Sequence, residues 1–230
     1  MKLKIINTSD GSQTLFVPEM DEQYHSLNGA ITESNYVYLE NGFLFHKSKK
    51  PIVFEVGFGT GLNCLLTAIQ AEKQKRATTF YTIENYPLPN EIIQRLKYGS
   101  NISNEAQILF EKIHACQWNK TVQISSWFKL VKLKSDILEN DLKELKNCDV
   151  IYFDAFGPDK QPEMWQAKIF KKIYSITAPN GIFVTYSAKG MVRRELTKCG
   201  FEMNRLPGPP GKIHMLRGIK KGSTILKPKN

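Results

Sequence analysis

Four places in the 230-residue chain have the residue types and spacing to handle a nucleoside-bearing ligand. FEVGFGTGLN puts Gly57, Gly59 and Gly61 in a turn between an apolar run and a helical pattern, where missing side chains let a ligand approach the backbone. Glu55, just ahead of that turn, is counted with the same cofactor-binding set. The spacing is G-x-G-x-G and lacks the phosphate-binding signatures of dinucleotide and nucleoside triphosphate loops. Taken alone, such a turn also serves simply to pack a helix on a strand. Glu84 closes the next apolar run, where a carboxylate can accept hydrogen bonds from both ribose hydroxyls. Asp136, in LKSDILE, stands where it can accept from an adenine amino group, or else cap a following helix. Asp154 ends the apolar run IYFD, a costly place for a charge that serves no purpose. If the acceptor is an amine, Asp154 can orient it and favour loss of its proton; the plain alternative is a cap for a helix beginning near Gln161. Together the four features specify S-adenosylmethionine, and Asp154 is both the candidate catalytic residue and part of the cofactor-binding set.

The elements that must position these residues follow from the hydrophobic pattern. From Pro51 onward short apolar runs alternate with longer amphipathic ones, which predicts βαβ units and a parallel sheet. Strands are expected at PIVFEV, TTFYTIE, WFKLVKL, CDVIYFD and GIFVTYS, with helices over about 61–74, 88–97, 103–115, 138–146, 162–177 and 190–199. Ligands bind at the carboxyl ends of such strands, where the four features fall. FEMNRL and KIHMLRGIK flank PGPPG and read as an antiparallel hairpin added to the sheet edge. KLKII and TLFV around TSDGSQ read as a hairpin within residues 3–17; residues 21–39 are less regular, and a short Lys-rich tail ends in LKPKN. The predicted fold is therefore α/β and Rossmann-like, of the class I S-adenosylmethionine-dependent methyltransferase type. It comprises an N-terminal β-containing extension over 1–50 packed on a catalytic domain over 51–230.

Composition narrows the setting. No apolar run approaches the roughly 20 residues needed to span a bilayer, and the N-terminus lacks a signal-peptide pattern, so a cytoplasmic protein without a membrane partner is expected. The four cysteines and four histidines show neither a CxxC pair nor metal-ligand spacing, so no metal is expected. A formal charge of +10 suits a polyanionic partner, although a Lys-rich composition also arises from coding bias.

YHSLNGAITESNYVYL, FEVGFGTGLN, YTIENYPL, DVIYFDAFGPDKQPEMW and SAKGMVRRELTKCGF resemble the MnmC-like family of tRNA wobble-uridine methyltransferases over nearly the whole chain. The resemblance implies methyl transfer from S-adenosylmethionine to the amine of 5-aminomethyl-2-thiouridine at the wobble position of the tRNA anticodon loop. Better-known relatives carry a fused flavin-dependent oxidoreductase; with nothing like it in these residues, a stand-alone form without flavin is expected. By resemblance, Gly57, Gly59, Glu84 and Asp136 hold the cofactor and Asp154 faces the amine. Tyr24, Asn28 and Glu33 lie in a block expected to close over the site, or merely to dock the extension. Arg193 and Arg194 are candidates for RNA phosphate contact, with Lys160 and Lys212 behind them. The chain departs from the family pattern at Ile213 and His214, where an Arg-Glu pair is expected, which puts a local ion pair and part of the tRNA contact in doubt. Competing readings are a methyltransferase or aminopropyltransferase acting on another amine, and a non-catalytic RNA-binding module; failure to bind S-adenosylmethionine would favour the last.

Overall fold

The computed structural model describes residues 3–222, so the Lys-rich tail lies outside the described residues. The chain opens with β1 (Lys4–Asn7), β2 (Gln13–Val17) and β3 (Glu22–Gln23), a small antiparallel sheet in that order, with the expected hairpin at its start. Helix α1 (Ala30–Ser34) runs directly into a π-helical segment, Asn35–Phe43, in the region the sequence left irregular. Val37, Tyr38 and Phe43 are fully or almost fully buried and join the same apolar cluster as Val53 and Phe80 of the main sheet. Arg76 closes the segment's carboxyl end: its guanidinium donates to the carbonyls of Phe43, His46 and Ser48.

The main sheet then begins with β4 (Ile52–Val56), followed by α2 (Leu62–Gln74), β5 (Thr78–Glu84), α3 (Asn90–Ile93), α4 (Tyr98–Ile102), α5 (Asn104–Ala115), β6 (Thr121–Ser125) and β7 (Phe128–Lys134). It continues with β8 (Cys148–Phe153), a 3-10 turn at Pro162–Trp165, α6 (Ala167–Ile176), β9 (Thr177–Thr185), α7 (Gly190–Lys198), β10 (Phe201–Pro207) and β11 (His214–Lys220). The eight strands lie in the order β10-β11-β9-β8-β4-β5-β7-β6. The five central strands are parallel, and antiparallel strands finish both edges. The β10–β11 hairpin is the one expected from PGPPG; β6 at the opposite edge carries no expectation. One apolar layer packs α2 and α5 on the sheet, and the other packs α6 and α7 through Ile169, Phe170, Ile173, Val192 and Leu196. Among the described residues, no helix is long and apolar enough to cross a membrane.

Three expected helices do not form as drawn. Over 138–146 the chain turns instead, because Asp136, Asn140 and Asp141 each accept from the backbone N–H two residues ahead. Leu142 adopts a left-handed conformation at φ 56°, and the Lys172 ammonium takes the carbonyls of Ile137, Leu138 and Asn140. The run expected as a helix over 88–97 shrinks to the four residues of α3, bounded by Pro89 in an extended conformation. The run over 162–177 breaks at Gln166, which is extended and separates the 3-10 turn from α6.

Because the chain passes outward from β4 through β5 to β7 and then returns to β8 on the other side of β4, the strand order reverses between β4 and β8. Open parallel sheets leave a crevice at such a point, outside the carboxyl ends of the strands. Gly57 and Asp154 follow those two strands directly, with the Asp154 N–H donating to the Val56 carbonyl.

Candidate active site

A cavity of about 1110 Å³ fills that crevice, and its wall includes Gly57, Gly59, Glu84, Asp136 and Asp154. The glycines shape it. At Gly57 the backbone has φ 88°, and a Cβ would stand 2.6 Å from the Asp154 carbonyl oxygen, so any side chain would drive β4 and β8 apart at this point. Gly59 lies under the Tyr24 ring, 3.1 Å from where its Cβ would be. Gly61 plays a different part: it is buried beneath Phe58 and His114 and starts α2 in a left-handed conformation, off the cavity wall.

Glu84 is held from two sides, accepting from the N–H groups of Gly59 at 3.1 Å and Tyr86 at 2.8 Å. The glycine turn and the second strand end thereby share one anchor. Asp136 accepts from the Leu138 N–H at 2.8 Å and from Asn85 Nδ2 at 3.0 Å, so it caps a turn and lines the cavity at once. Glu55 stands apart: its side chain is fully buried in the core and does not line the cavity.

Asp154 caps no helix. Its carboxylate accepts from the Tyr38 hydroxyl at 2.5 Å and from Asn63 Nδ2 at 2.8 Å, while its open side faces the cavity. Burial pushes the Asp154 carboxyl up to about 7; the Glu33 charge adds to this, and the Tyr38 and Asn63 hydrogen bonds oppose it. A carboxyl poised near neutrality can take a proton and release it again. Tyr38 and Asn63 carry no expectation from the sequence as individual residues, although both lie in the blocks YHSLNGAITESNYVYL and FEVGFGTGLN. Tyr186 also lines the cavity, donating to the Ala155 carbonyl, and nothing in the sequence singled it out.

A roof crosses the opening. Tyr24 packs edge-on against Phe156, with ring centroids 5.1 Å apart. Glu33 is buried, accepts from the Ser26 N–H, and is ion-paired with Lys212 of the β10–β11 turn. The Lys212 ammonium also sits 4.0 Å over the Tyr186 ring. Asn28 lines the cavity and packs so closely on Gly211 that a Cβ there would meet its amide. Tyr24, Asn28, Glu33 and Lys212 are thus brought together, whereas the other candidate cations are not. Arg193 and Arg194 are exposed on α7 and off the cavity wall; Lys160 donates to the Met20 carbonyl.

Two histidines brace the glycine turn from below. His25 bonds the Thr60 hydroxyl at 2.8 Å, and His114 bonds the Thr60 carbonyl at 3.2 Å. Burial lowers both to about 4, so both are neutral near pH 7. Among the described residues, no group of three His, Cys, Asp or Glu is placed to hold a metal ion.

The donor set fits a nucleoside-bearing cofactor: a backbone cradle that a Cβ would close, a carboxylate anchored beside it, and a second carboxylate one strand further along. Single-ligand pockets run to roughly 1,000 Å³, so the cavity has room for a cofactor and part of a second molecule.

Comparison with known proteins agrees with this geometry. The chain is 29% identical over 224 residues to the tRNA 5-methylaminomethyl-2-thiouridine biosynthesis bifunctional protein MnmC of Burkholderia vietnamiensis, covering 89% of this chain and 33% of that protein. It is 30% identical over 211 residues to the protein of that name from Pseudomonas fluorescens, covering 86% and 32%. The chain therefore spans about a third of the length of these curated relatives. Among solved structures, MNMC2 from Aquifex aeolicus superposes with a TM-score of 0.76 at 23% identity, over 94% of this chain and 70% of that one. Spermidine synthase from Thermotoga maritima gives 0.55 at 14% identity, over 96% and 75%. Both structures show the shared fold. A family profile described as S-adenosyl-L-methionine-dependent methyltransferase matches residues 74–221, well over half the chain, and this protein belongs to that family.

Proposed function

We propose that the protein methylates the amine of 5-aminomethyl-2-thiouridine at the wobble position of a tRNA anticodon loop, giving 5-methylaminomethyl-2-thiouridine. The observation that carries this reading is Asp154. It is a cavity-facing carboxylate with a pKa near 7, clamped by Tyr38 and Asn63 at the strand-order reversal, in a chain similar to proteins named for biosynthesis of that nucleoside.

S-adenosylmethionine supplies an electrophilic methyl group on its sulfonium. Glu84, its carboxylate fixed by two backbone N–H groups, keeps lone pairs for the ribose hydroxyls, and Asp136 is the candidate acceptor for the adenine amino group. Asp154 orients the substrate amine and takes its proton, since only the neutral amine has a lone pair for in-line attack. Tyr38 and Asn63 hold the carboxylate still while this happens. The roof formed by Tyr24, Asn28, Glu33 and Lys212 keeps water from the reacting groups. An anticodon-loop base is already single-stranded and reaches such a cavity at modest cost. The +10 charge favours that polyanion, with Arg193 and Arg194 on the surface and Lys160 and Lys212 nearer the opening. Such a reaction belongs in the cytoplasm.

The test is to supply radiolabelled S-adenosylmethionine and bulk tRNA from cells lacking the final methylation, then digest the tRNA and identify the labelled nucleoside. Label in 5-methylaminomethyl-2-thiouridine is the expected result. Cofactor binding without label in tRNA would overturn the substrate and leave the family intact. In the same system, replacing Arg193 and Arg194 together should flatten the salt dependence of tRNA binding; an unchanged slope removes them from the RNA surface.

A further inference from the structure

Four polar atoms are buried without a hydrogen-bond partner in one place beneath Asp154: both carboxyl oxygens of Glu55, the side-chain oxygen of Asn63 and the hydroxyl of Thr82. Such groups are costly to bury, and four of them together call for a physical reason. Their positions supply one. Glu55 on β4 is the register partner of Thr82 on β5 and of Tyr152 on β8, so the three side chains share the sheet face that α2 covers. Asn63, in the first turn of α2, reaches the same spot and already donates its Nδ2 to Asp154.

We propose that Glu55 is a neutral carboxylic acid that positions Asp154 through Asn63. Its O–H donates to Asn63 Oδ1, and its other oxygen accepts from the Thr82 hydroxyl. The added proton satisfies one Glu55 oxygen and Asn63 Oδ1, and the Thr82 hydroxyl's own proton serves the other Glu55 oxygen, so all four orphaned atoms find partners. It also fixes the amide: with Oδ1 committed to Glu55, Nδ2 must point at Asp154. An ionised Glu55 only accepts hydrogen bonds, so it would draw Nδ2 toward itself and present Oδ1 to the Asp154 carboxylate.

The surroundings favour the neutral form. Facing Glu55 are Thr82 and Glu84 from β5, Tyr152 from β8 and Asp154 just after it, and Asn63 and Cys64 from α2, with no cation in the set. Burial holds the Glu55 carboxyl well above the usual carboxylate range, and the Asp154 and Glu84 charges reinforce this; Thr82 opposes it, as Asn63 would only with its amide turned to donate to Glu55. Glu55 is thus a positioning residue outside the cavity. The inference deepens the proposed function, in which Asp154 is the proton acceptor, but its test does not depend on tRNA.

The experiment is carbon-13 NMR of the folded protein with labelled Glu and Asp side-chain carboxyls, the Glu55 signal being assigned by its loss in Glu55→Gln. The expected Glu55 resonance has the chemical shift of a protonated acid and stays still between about pH 5 and about pH 8. An ionised shift, or a midpoint near the ordinary value of about 4.3, overturns the proposal. The Asp154 signal provides a second reading. Glutamine can also donate to Asn63 and accept from Thr82, so Glu55→Gln leaves the Asp154 midpoint in place. A drop of about one unit would mean that a charge had been removed. Glu55→Leu frees Asn63 and raises the Asp154 midpoint by about one unit; no movement in a folded variant overturns the positioning role. If Glu55→Leu does not fold, the wild-type titration and Glu55→Gln still decide.

Discussion

The floor of the cavity is set by the ends of adjacent parallel strands, while its roof joins side chains far apart in the sequence. On the floor, Glu84 anchors the glycine turn through a backbone N–H 25 residues away, and the sheet register does the rest. On the roof, Tyr38 reaches Asp154 across 116 residues, Tyr36 reaches the Pro207 carbonyl across 171, and Glu33 pairs with Lys212 across 179. The difference teaches that the floor is a property of the fold, held by backbone geometry that a glycine alone permits. The roof is a set of side-chain pairs that can be removed one at a time. Cofactor affinity should therefore follow the floor and substrate handling the roof.

Asp154, where floor and roof meet, should give the largest effect. Asp154→Ala is expected to lower kcat by about 10³-fold while the calorimetric Kd for S-adenosylmethionine changes by no more than about threefold. Lost affinity with an intact rate at saturating cofactor would make it a floor residue only. Next comes Gly57→Ala, which places a Cβ against the Asp154 carbonyl in a left-handed region. Cofactor affinity should fall about 100-fold and the folded protein should lose about 2 kcal/mol, measured by calorimetry and urea unfolding.

Acid should loosen the seam between the two regions, because His25 and His114 both grip Thr60 in neutral form. Their folded pKa values, about 4, lie below the unfolded 6.5. Their contribution is therefore complete above about pH 6.5 and is lost as pH falls from there toward about 4. Urea titrations should show stability lower by about 5 kcal/mol at pH 4.5 than at pH 7.5, with about half that loss in His25→Gln. An equal loss in that variant would place the sensitivity elsewhere.

The roof pair should give the smallest effect. Glu33→Gln and Lys212→Met should each raise KM for tRNA about tenfold, with cofactor Kd nearly unchanged, and the double variant should be little worse than either single one. Additive losses would show that Glu33 and Lys212 act separately, Lys212 then serving the RNA directly.

Much of the floor was readable in advance because its signals are local. A glycine turn after an apolar run, an acid at the end of the next run and another at the end of the fourth each need only a few neighbouring residues to be recognised. Glu55 and Gly61 show where that reasoning stops: both lie in the right motif, yet one points into the core and the other packs a helix. The helix expected over 138–146 failed for a related reason. Its apolar spacing is helical, but three short polar side chains bond their own backbone, and the Lys172 ammonium from α6 stabilises the turns that result.

The sequence by itself determined the parallel α/β sheet, the edge hairpin, the glycine cradle and the carboxylates Glu84, Asp136 and Asp154, since hydrophobic period and turn chemistry are written residue by residue. Only the tertiary structure decided that Tyr38 and Asn63 clamp Asp154, that Glu33 spends its charge on Lys212, and that Glu55 lies beneath the site. Each of these depends on which side chains the strand-order reversal between β4 and β8 brings within hydrogen-bond reach, and no stretch of sequence carries that distance.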